Sequence, residues 1–277
     1  KKQVLMKQVV SSIIGVVIAS HGLHAGDIVT QSQQSAASAT LRDLEADRPD
    51  ATESPRTVDK GYFQIETSLL GYGRDSSGGV VSESWTWGET NLKYGLTDSM
   101  DLQLIFAPYV REVTSTGGMR QVVEGGSDVT LRLKYNLWGN DDGDTALAIF
   151  PYVKIPTGTA LSNDKWEGGV IIPWACDLTE SIGFGMQVEF ARVWDDAAGD
   201  YDWDILHTAV LGFDVTDKLG LYLEYLGVSG GHPYEAYASG GVTWAFSDRF
   251  QWDAGVVIGI NQAAEDLNTF TGFTLKF

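Results

Sequence analysis

The final five residues, Phe273-Thr274-Leu275-Lys276-Phe277, alternate apolar with polar up to an aromatic terminus. Successive side chains of a strand point to opposite faces, so Phe273, Leu275 and Phe277 share one face and Thr274 and Lys276 the other. Three large apolar groups on an unprotected last strand suit a soluble sheet poorly. They suit a membrane barrel, in which every strand turns one face to lipid and the last strand pairs with the first.

The beginning of the chain points the same way. Lys1, Lys2 and Lys7 precede a short apolar run, Val9 to Ala19, and Leu23-His24-Ala25 offers a cleavage site. The run is shorter than the ~20 residues a helix needs to span a bilayer. Residues 1–25 are therefore expected to be a secretory signal peptide. The longest later apolar stretch, around Gly169 to Ala175, is short and holds a proline. An exported chain of this kind is periplasmic, secreted or an outer-membrane barrel.

Composition narrows the choice. Glycine is abundant at 32, tryptophan and tyrosine number 9 and 11, and proline is scarce at 7. Cys176 is the single cysteine, so no internal disulfide staples the fold. Removing the signal takes three lysines and no acid, and the formal charge moves from −18 to −21. Phosphate contact needs clustered Lys and Arg, so no nucleic-acid partner is expected.

From Gly61 onward the chain reads as alternating segments of the length that tilted membrane strands require. They fall near 61–73, 82–96, 100–113, 127–138, 145–156, 165–176, 181–194, 201–215, 218–229, 234–247, 249–261 and 267–277. Short turns such as Leu96-Thr97-Asp98-Ser99 and Phe246-Ser247-Asp248-Arg249 alternate with longer loops at 113–126, 156–165 and 194–201. The expected fold is all-β: a 12-stranded antiparallel transmembrane β-barrel with short periplasmic turns and longer extracellular loops. The organisation is signal peptide 1–25, polar N-terminal segment 26–60, and barrel 61–277.

Apolar stripes give the outward face: Val129, Leu131, Leu133, Tyr135 and Leu137 on one strand, Ile182, Phe184, Met186, Val188 and Phe190 on another. Aromatics gather at both strand ends, with Trp138, Trp244, Phe246 and Phe277 near short turns and Trp85, Tyr109, Trp166 and Trp203 near the loops. The opposite parity lines the lumen. It supplies Gln64, Glu66, Asn91, Lys93, Gln103, Arg132, Lys134 and Lys154, then Gln187, Glu189, Asp204, Tyr222, Glu224 and Asp253. The bases Arg132, Lys134 and Lys154 fall on one side of the ring and most of the acids on the other. This predicts a transverse field across the lumen, or charges paired across a filled interior.

Within 26–60 the first half is polar and of low complexity. The second half, Asp47 to Val58, carries two prolines that remove backbone donors and disfavour helix. Its Arg48, Asp50, Glu53 and Arg56 could fold into the lumen as a plug or remain in the periplasm as a solvated tether.

The run DRPDATESPRTVDKGYFQIET, residues 47–67, resembles the opening motif of a bacterial outer-membrane family named for a meta-pathway of phenol degradation, and YGLTDSMDLQL, residues 94–104, fits it more weakly. The terminal Phe277 resembles the signature by which bacterial barrels are handed to the barrel-assembly machinery. The resemblance implies a barrel of the Gram-negative outer membrane and uptake of aromatic or other small apolar compounds; it brings no catalytic residues. The expected partners are outer-membrane lipid, the assembly machinery and small-molecule solutes.

Beyond the signal the chain holds two histidines, His207 and His232, and no Gly-x-Ser-x-Gly, His-Glu-x-x-His or Cys-x-x-Cys pattern. No enzyme, cofactor or metal site is expected. The functional reading is a channel for passive uptake through a polar lumen; the alternative is a non-conducting structural or adhesion barrel. Outward stripes and barrel–barrel interfaces use the same residue types, so the pattern assigns no oligomeric state.

Overall fold

The computed structural model describes residues 41–277 except Asp142. The expected signal peptide, residues 1–25, and the polar residues through 40 lie outside the described part. Fourteen strands follow in order: β1 Phe63–Ser77, β2 Val80–Thr97, β3 Met100–Phe106, β4 Tyr109–Thr116, β5 Met119–Gly125, β6 Val129–Trp138 and β7 Thr145–Ile155. The rest are β8 Glu167–Thr179, β9 Ile182–Asp195, β10 Asp200–Asp214, β11 Leu219–Ser229, β12 Glu235–Ser247, β13 Phe250–Gly259 and β14 Leu267–Lys276.

Twelve of them close into a ring. β1, β2, β3 and β6 through β14 pair with their neighbours antiparallel, and β14 returns to β1 with Gln64 opposite Lys276. Closure is completed by Phe63 and Phe277, each donating its N–H to the other's carbonyl at 2.9 Å. A closed ring leaves no unpaired edge, and an antiparallel barrel needs only hairpin links to make one.

β4 and β5 are the departure from the expected strand plan. The segment expected as one strand over 100–113 breaks at Ala107-Pro108, and the expected loop 113–126 is a two-stranded hairpin. Proline cannot donate to a ladder, so the chain leaves the ring there. Gly88, at φ +69°, turns β2 at the same level, and a Cβ on it would lie 3.1 Å from the Pro108 ring. Below this bend β2 pairs with β3; above it Val80 to Trp87 pairs with β4 instead. Gly117 and Gly118, both at positive φ, make the hairpin turn.

Parity sorts the side chains as the stripes require. On β6, Leu131, Tyr135 and Leu137 are exposed outward while Arg132, Lys134 and Asn136 are buried inward. On β9, Met186 and Phe190 face out, and Gln187 and Glu189 face in. Many of the fully buried residues are accordingly polar: Lys93, Lys134, Gln64, Gln103, Asp101 and Asp253 are among the least exposed side chains, beside the apolar Phe150 and Ile171. Rings cluster at the end that carries Phe277, where Phe63 meets Tyr94 and Phe277, and Phe250 meets Phe246 and Phe273. A second row at the opposite end includes Trp87 with Tyr109 and Trp194 with Tyr201.

Links at the Phe277 end are short apart from 139–144. At the opposite end lengths vary: two residues join β1 to β2, four join β9 to β10, and 156–166 joins β7 to β8. The 194–201 connection is thus tighter than expected, because Tyr201 and Trp194 continue the ladder and Asp195 caps the turn through Ala197 and Ala198.

Candidate functional site: the charged lumen and the segment that crosses it

Residues 41–60 run through the barrel interior, and their contacts reach strands on every side. The route begins beside β14, where Lys276 Nζ donates to the Arg42 carbonyl at 2.8 Å and forms an ion pair with Asp59 at 2.6 Å. The exit runs beside Gly95, whose missing Cβ lets the Asp59 carbonyl pass; a methyl there would lie 2.0 Å from that oxygen.

The basic wall holds the acids of the segment. Asp47 sits between Lys93 and Lys134, with Lys134 Nζ 2.9 Å from its Oδ1. Burial alone would raise the Asp47 carboxyl, but Lys134 and Lys93 outweigh it and hold it below the usual carboxylate range. Lys93 also contacts Glu66. Arg132 pairs with Glu53. Lys134 donates further to the carbonyls of Ser54 at 2.8 Å and Arg56 at 3.0 Å, and Asn136 donates to that of Pro55 at 2.8 Å. The Pro55 carbonyl lies outside any strand ladder, and the wall satisfies it.

The acidic wall takes the donors. Arg48 forms a two-point contact with Asp253, at 2.7 and 3.2 Å, and also reaches Ser68. Glu224 accepts the backbone N–H of Thr52 at 2.8 Å, the Thr52 hydroxyl at 2.7 Å and the N–H of Ala51 at 3.0 Å. Gln187 accepts the N–H of Glu53 at 2.8 Å. The two wall signs are thus met by the segment between them. An open transverse field is not what the charges make, because acids of the segment lie against the bases and its donors against the acids.

The other expected lumen residues divide by height. Gln64 donates to the Glu45 carbonyl at 2.6 Å, and Asn91 meets Gln103 at 3.2 Å. Lys154 stands away from the segment, bridging Asp128 and Glu167 at 2.9 Å each. Glu189 accepts from the Tyr152 hydroxyl, Tyr222 meets Ser239, and Asp204 faces His232. Arg56 pairs with Glu45 of its own segment at 3.0 Å, so its side chain does not reach the wall. Among the described residues Asp50 has no cation against it; burial, then the nearby Glu224 carboxylate, push it well up.

Asp101, Ser68, Glu89 and Asn140 act here although the sequence reading did not single them out. Asp101 accepts from the N–H of Val58 at 3.1 Å, and Asn140 from that of Thr57 at 2.8 Å. Asp101 shares the parity of Gln103, which was the signal for it. Asn140 lies in a turn, where solvation is the ordinary expectation.

Among the described residues, two cavities lie against the segment. One, of about 100 Å³, is lined by Glu89, Asn91, Arg132 and Glu224 together with Ile105, Leu226, Val257 and Phe270. Glu89 Oε2, Asn91 Oδ1 and Arg132 Nε are buried there without a hydrogen-bond partner among the described residues. The other, of about 770 Å³, opens toward the short turns at Thr179-Glu180 and Asp214 past Gly183, Gly212 and Gly220. Arg48, Pro49 and Asp50 line both.

His207 faces outward with Tyr234 at 3.1 Å, and His232 lies between Asp204 and Glu235.

Residues 46–277 match the family model described as "Putative MetA-pathway of phenol degradation". The chain belongs to that family. No curated protein matches it. Among solved structures it is similar to an outer-membrane channel from Pseudomonas putida F1, at TM-score 0.59 and 13% identity over 80% of this chain and 97% of the other. It is also similar to the NanC porin, at 0.49 and 8% over 77% and 98%. The translocator domain of the autotransporter NalP from Neisseria meningitidis aligns at 0.48 and 12% over 79% and 89%. At these identities the likeness is one of fold, and the fold is shared with the Pseudomonas putida outer-membrane channel.

Proposed function

We propose that this chain is an outer-membrane channel for passive uptake of small solutes, closed at rest by residues 41–60 acting as a lumen plug. One observation carries the reading: Arg48-Pro49-Asp50 is the part of the segment common to two cavities, one on each side of it. A solute descending the lumen meets these three residues between the smaller cavity and the wider vestibule. In this orientation the Phe277 end faces the periplasm, as the short turns there favour.

The smaller cavity suits a compact molecule with an apolar body and a polar group. Ile105, Leu226, Val257 and Phe270 supply apolar wall, while Glu89, Asn91 and Arg132 supply unmatched donors and acceptors. Small aromatic compounds bearing a hydroxyl or similar group have that chemistry, and the family description agrees with them. The protein is proposed to do no chemistry on its solute.

Single-channel conductance in a planar bilayer tests the reading. The chain should conduct weakly, and deletion of residues 40–58 should produce large, discrete steps. A barrel that stays silent after deletion, while folded by heat-modifiable migration, would transfer the assignment to a structural or adhesion role.

A further inference from the structure

One patch on the outer wall has no role in the lumen. At the top of β8, β9 and β10, side chains of outward parity bring Trp166, Arg192, Trp194, Tyr201 and Trp203 together with Lys165. In the β9–β10 ladder Arg192 stands opposite Trp203 and Trp194 opposite Tyr201. The Arg192 guanidinium lies over the rings of Trp203, at 5.5 Å, and Tyr201, at 5.9 Å. Lys165 Nζ lies 4.1 Å from the Trp194 ring centre, and Trp194 and Tyr201 touch edge to face at 5.2 Å. Cations and rings thus form one continuous row, from Lys165 through Trp194 and Tyr201 to Arg192 and Trp203.

Charge marks the row off from its surroundings. The chain is strongly acidic, yet among the described residues neither Lys165 nor Arg192 is ion-paired. Elsewhere at this end Arg74 stands opposite Glu83 and Arg111 pairs with Glu124. The acids of the 195–200 turn lie one pair farther out and are engaged locally: Asp195 caps Ala197, and Asp196 accepts from the Trp194 indole. Trp166 and Trp203 are more than half exposed, at 58% and 52%. Rings of this kind sit at the headgroup level of a membrane, and a cation beside them is placed to meet phosphate there.

We infer that the Lys165–Arg192 patch binds the phosphorylated headgroup of a membrane lipid, with the two cations on phosphate and the rings against its sugar or acyl shoulder. In the orientation proposed above, the phosphate-bearing partner is lipid of the outer leaflet; binding itself does not depend on that orientation.

Native mass spectrometry of the full chain in detergent, titrated with a bisphosphorylated glycolipid and with its phosphate-free counterpart, tests this. The wild type should retain the phosphorylated lipid in clear preference. The double variant K165Q/R192Q, whose substitutions touch neither lumen nor plug, should lose that preference by about tenfold or more for two charges. Conductance should not change, which separates this result from the channel reading. Equal retention of both lipids by the wild type would overturn the inference without any variant. So would an unchanged double variant, or displacement of the lipid by millimolar inorganic phosphate, which would identify a simple anion site.

Discussion

Arg48 and Asp253 are 205 residues apart in sequence and meet at 2.7 Å inside the barrel, where Asp253 is fully buried. Removing one partner of a buried pair costs about 3–5 kcal/mol because the other charge is left uncompensated. Arg48→Met should therefore favour undocking of the 48–50 stretch by at least about a hundredfold in population. Open-channel events in a planar bilayer should rise accordingly, while barrel migration on a cold gel stays that of the wild type. Unchanged conductance would show that these three residues are not the barrier.

Asp47 anchors the other side. Asp47→Asn leaves Lys134 with two carbonyls and no carboxylate, and Lys93 with Glu66 alone. The segment should become protease-sensitive, with a loss of about 3–5 kcal/mol in docking. The pH dependence follows from the lowered carboxyl. Its contribution is complete above the ordinary value of 3.8 and fades only as pH falls from there toward the depressed one. Mild acid near pH 5 should leave this anchor in place, as limited proteolysis across pH will report.

The inward face was legible because parity is tied to the outward stripe. Once Leu131, Leu133 and Tyr135 are placed against lipid, Arg132 and Lys134 have one direction left. The hairpin at 109–125 carried its own signals, Pro108 and the Gly117-Gly118 pair, but a strand period running on either side of Pro108 masked them. The docking of residues 41–60 was harder to read. Its decisive contacts use backbone groups, such as the N–H of Thr52 on Glu224 and the carbonyl of Pro55 on Asn136, and main-chain groups are the same at every position. Side-chain charges announced that the segment could pair, not with which strand.

His232 gives the loop end its own pH response. It faces Asp204 from β10 and Glu235 from β12, and Asp202 lies beside neighbouring Gly231. Its hydrogen bond to Asp204 is the chief reason its value is pushed up to about 9. A raised value means stabilisation that is complete below the ordinary 6.5 and is lost as pH rises through about 9. Thermal unfolding of wild type should therefore fall between pH 6 and pH 10 by more than that of His232→Asn. Parallel curves would mean the contact adds nothing to stability.

Two glycines separate crowding from backbone strain. A Cβ on Gly95 would lie 2.0 Å from the Asp59 carbonyl, whereas one on Gly78, at φ +59°, would meet nothing. Gly95→Ala must push the segment off the wall and break the pairing of Gly95 with Gly61 and Tyr62. Overpacking of this kind costs about 1–3 kcal/mol. Gly78→Ala should carry only the left-handed backbone penalty, about 1–2 kcal/mol, with no effect on the lumen. Conductance distinguishes them: it should rise in the first variant and stay at the wild-type level in the second.

Phe277 joins closure to assembly. Its backbone exchanges two hydrogen bonds with Phe63, and its ring stacks on that of Phe63 at 5.9 Å. Phe277→Ala keeps the backbone exchange and loses the ring pair, worth about 0.5–1.5 kcal/mol beyond its buried area. Refolding into detergent should therefore remain nearly as efficient as for the wild type. If the terminal aromatic is also what the assembly machinery reads, the amount of folded barrel in the outer membrane of cells should fall much further than that small loss explains. Measuring both on the same variant separates the roles. A matched, modest decrease in the two would leave Phe277 as a closing residue alone, and a steep loss confined to cells would assign it to recognition.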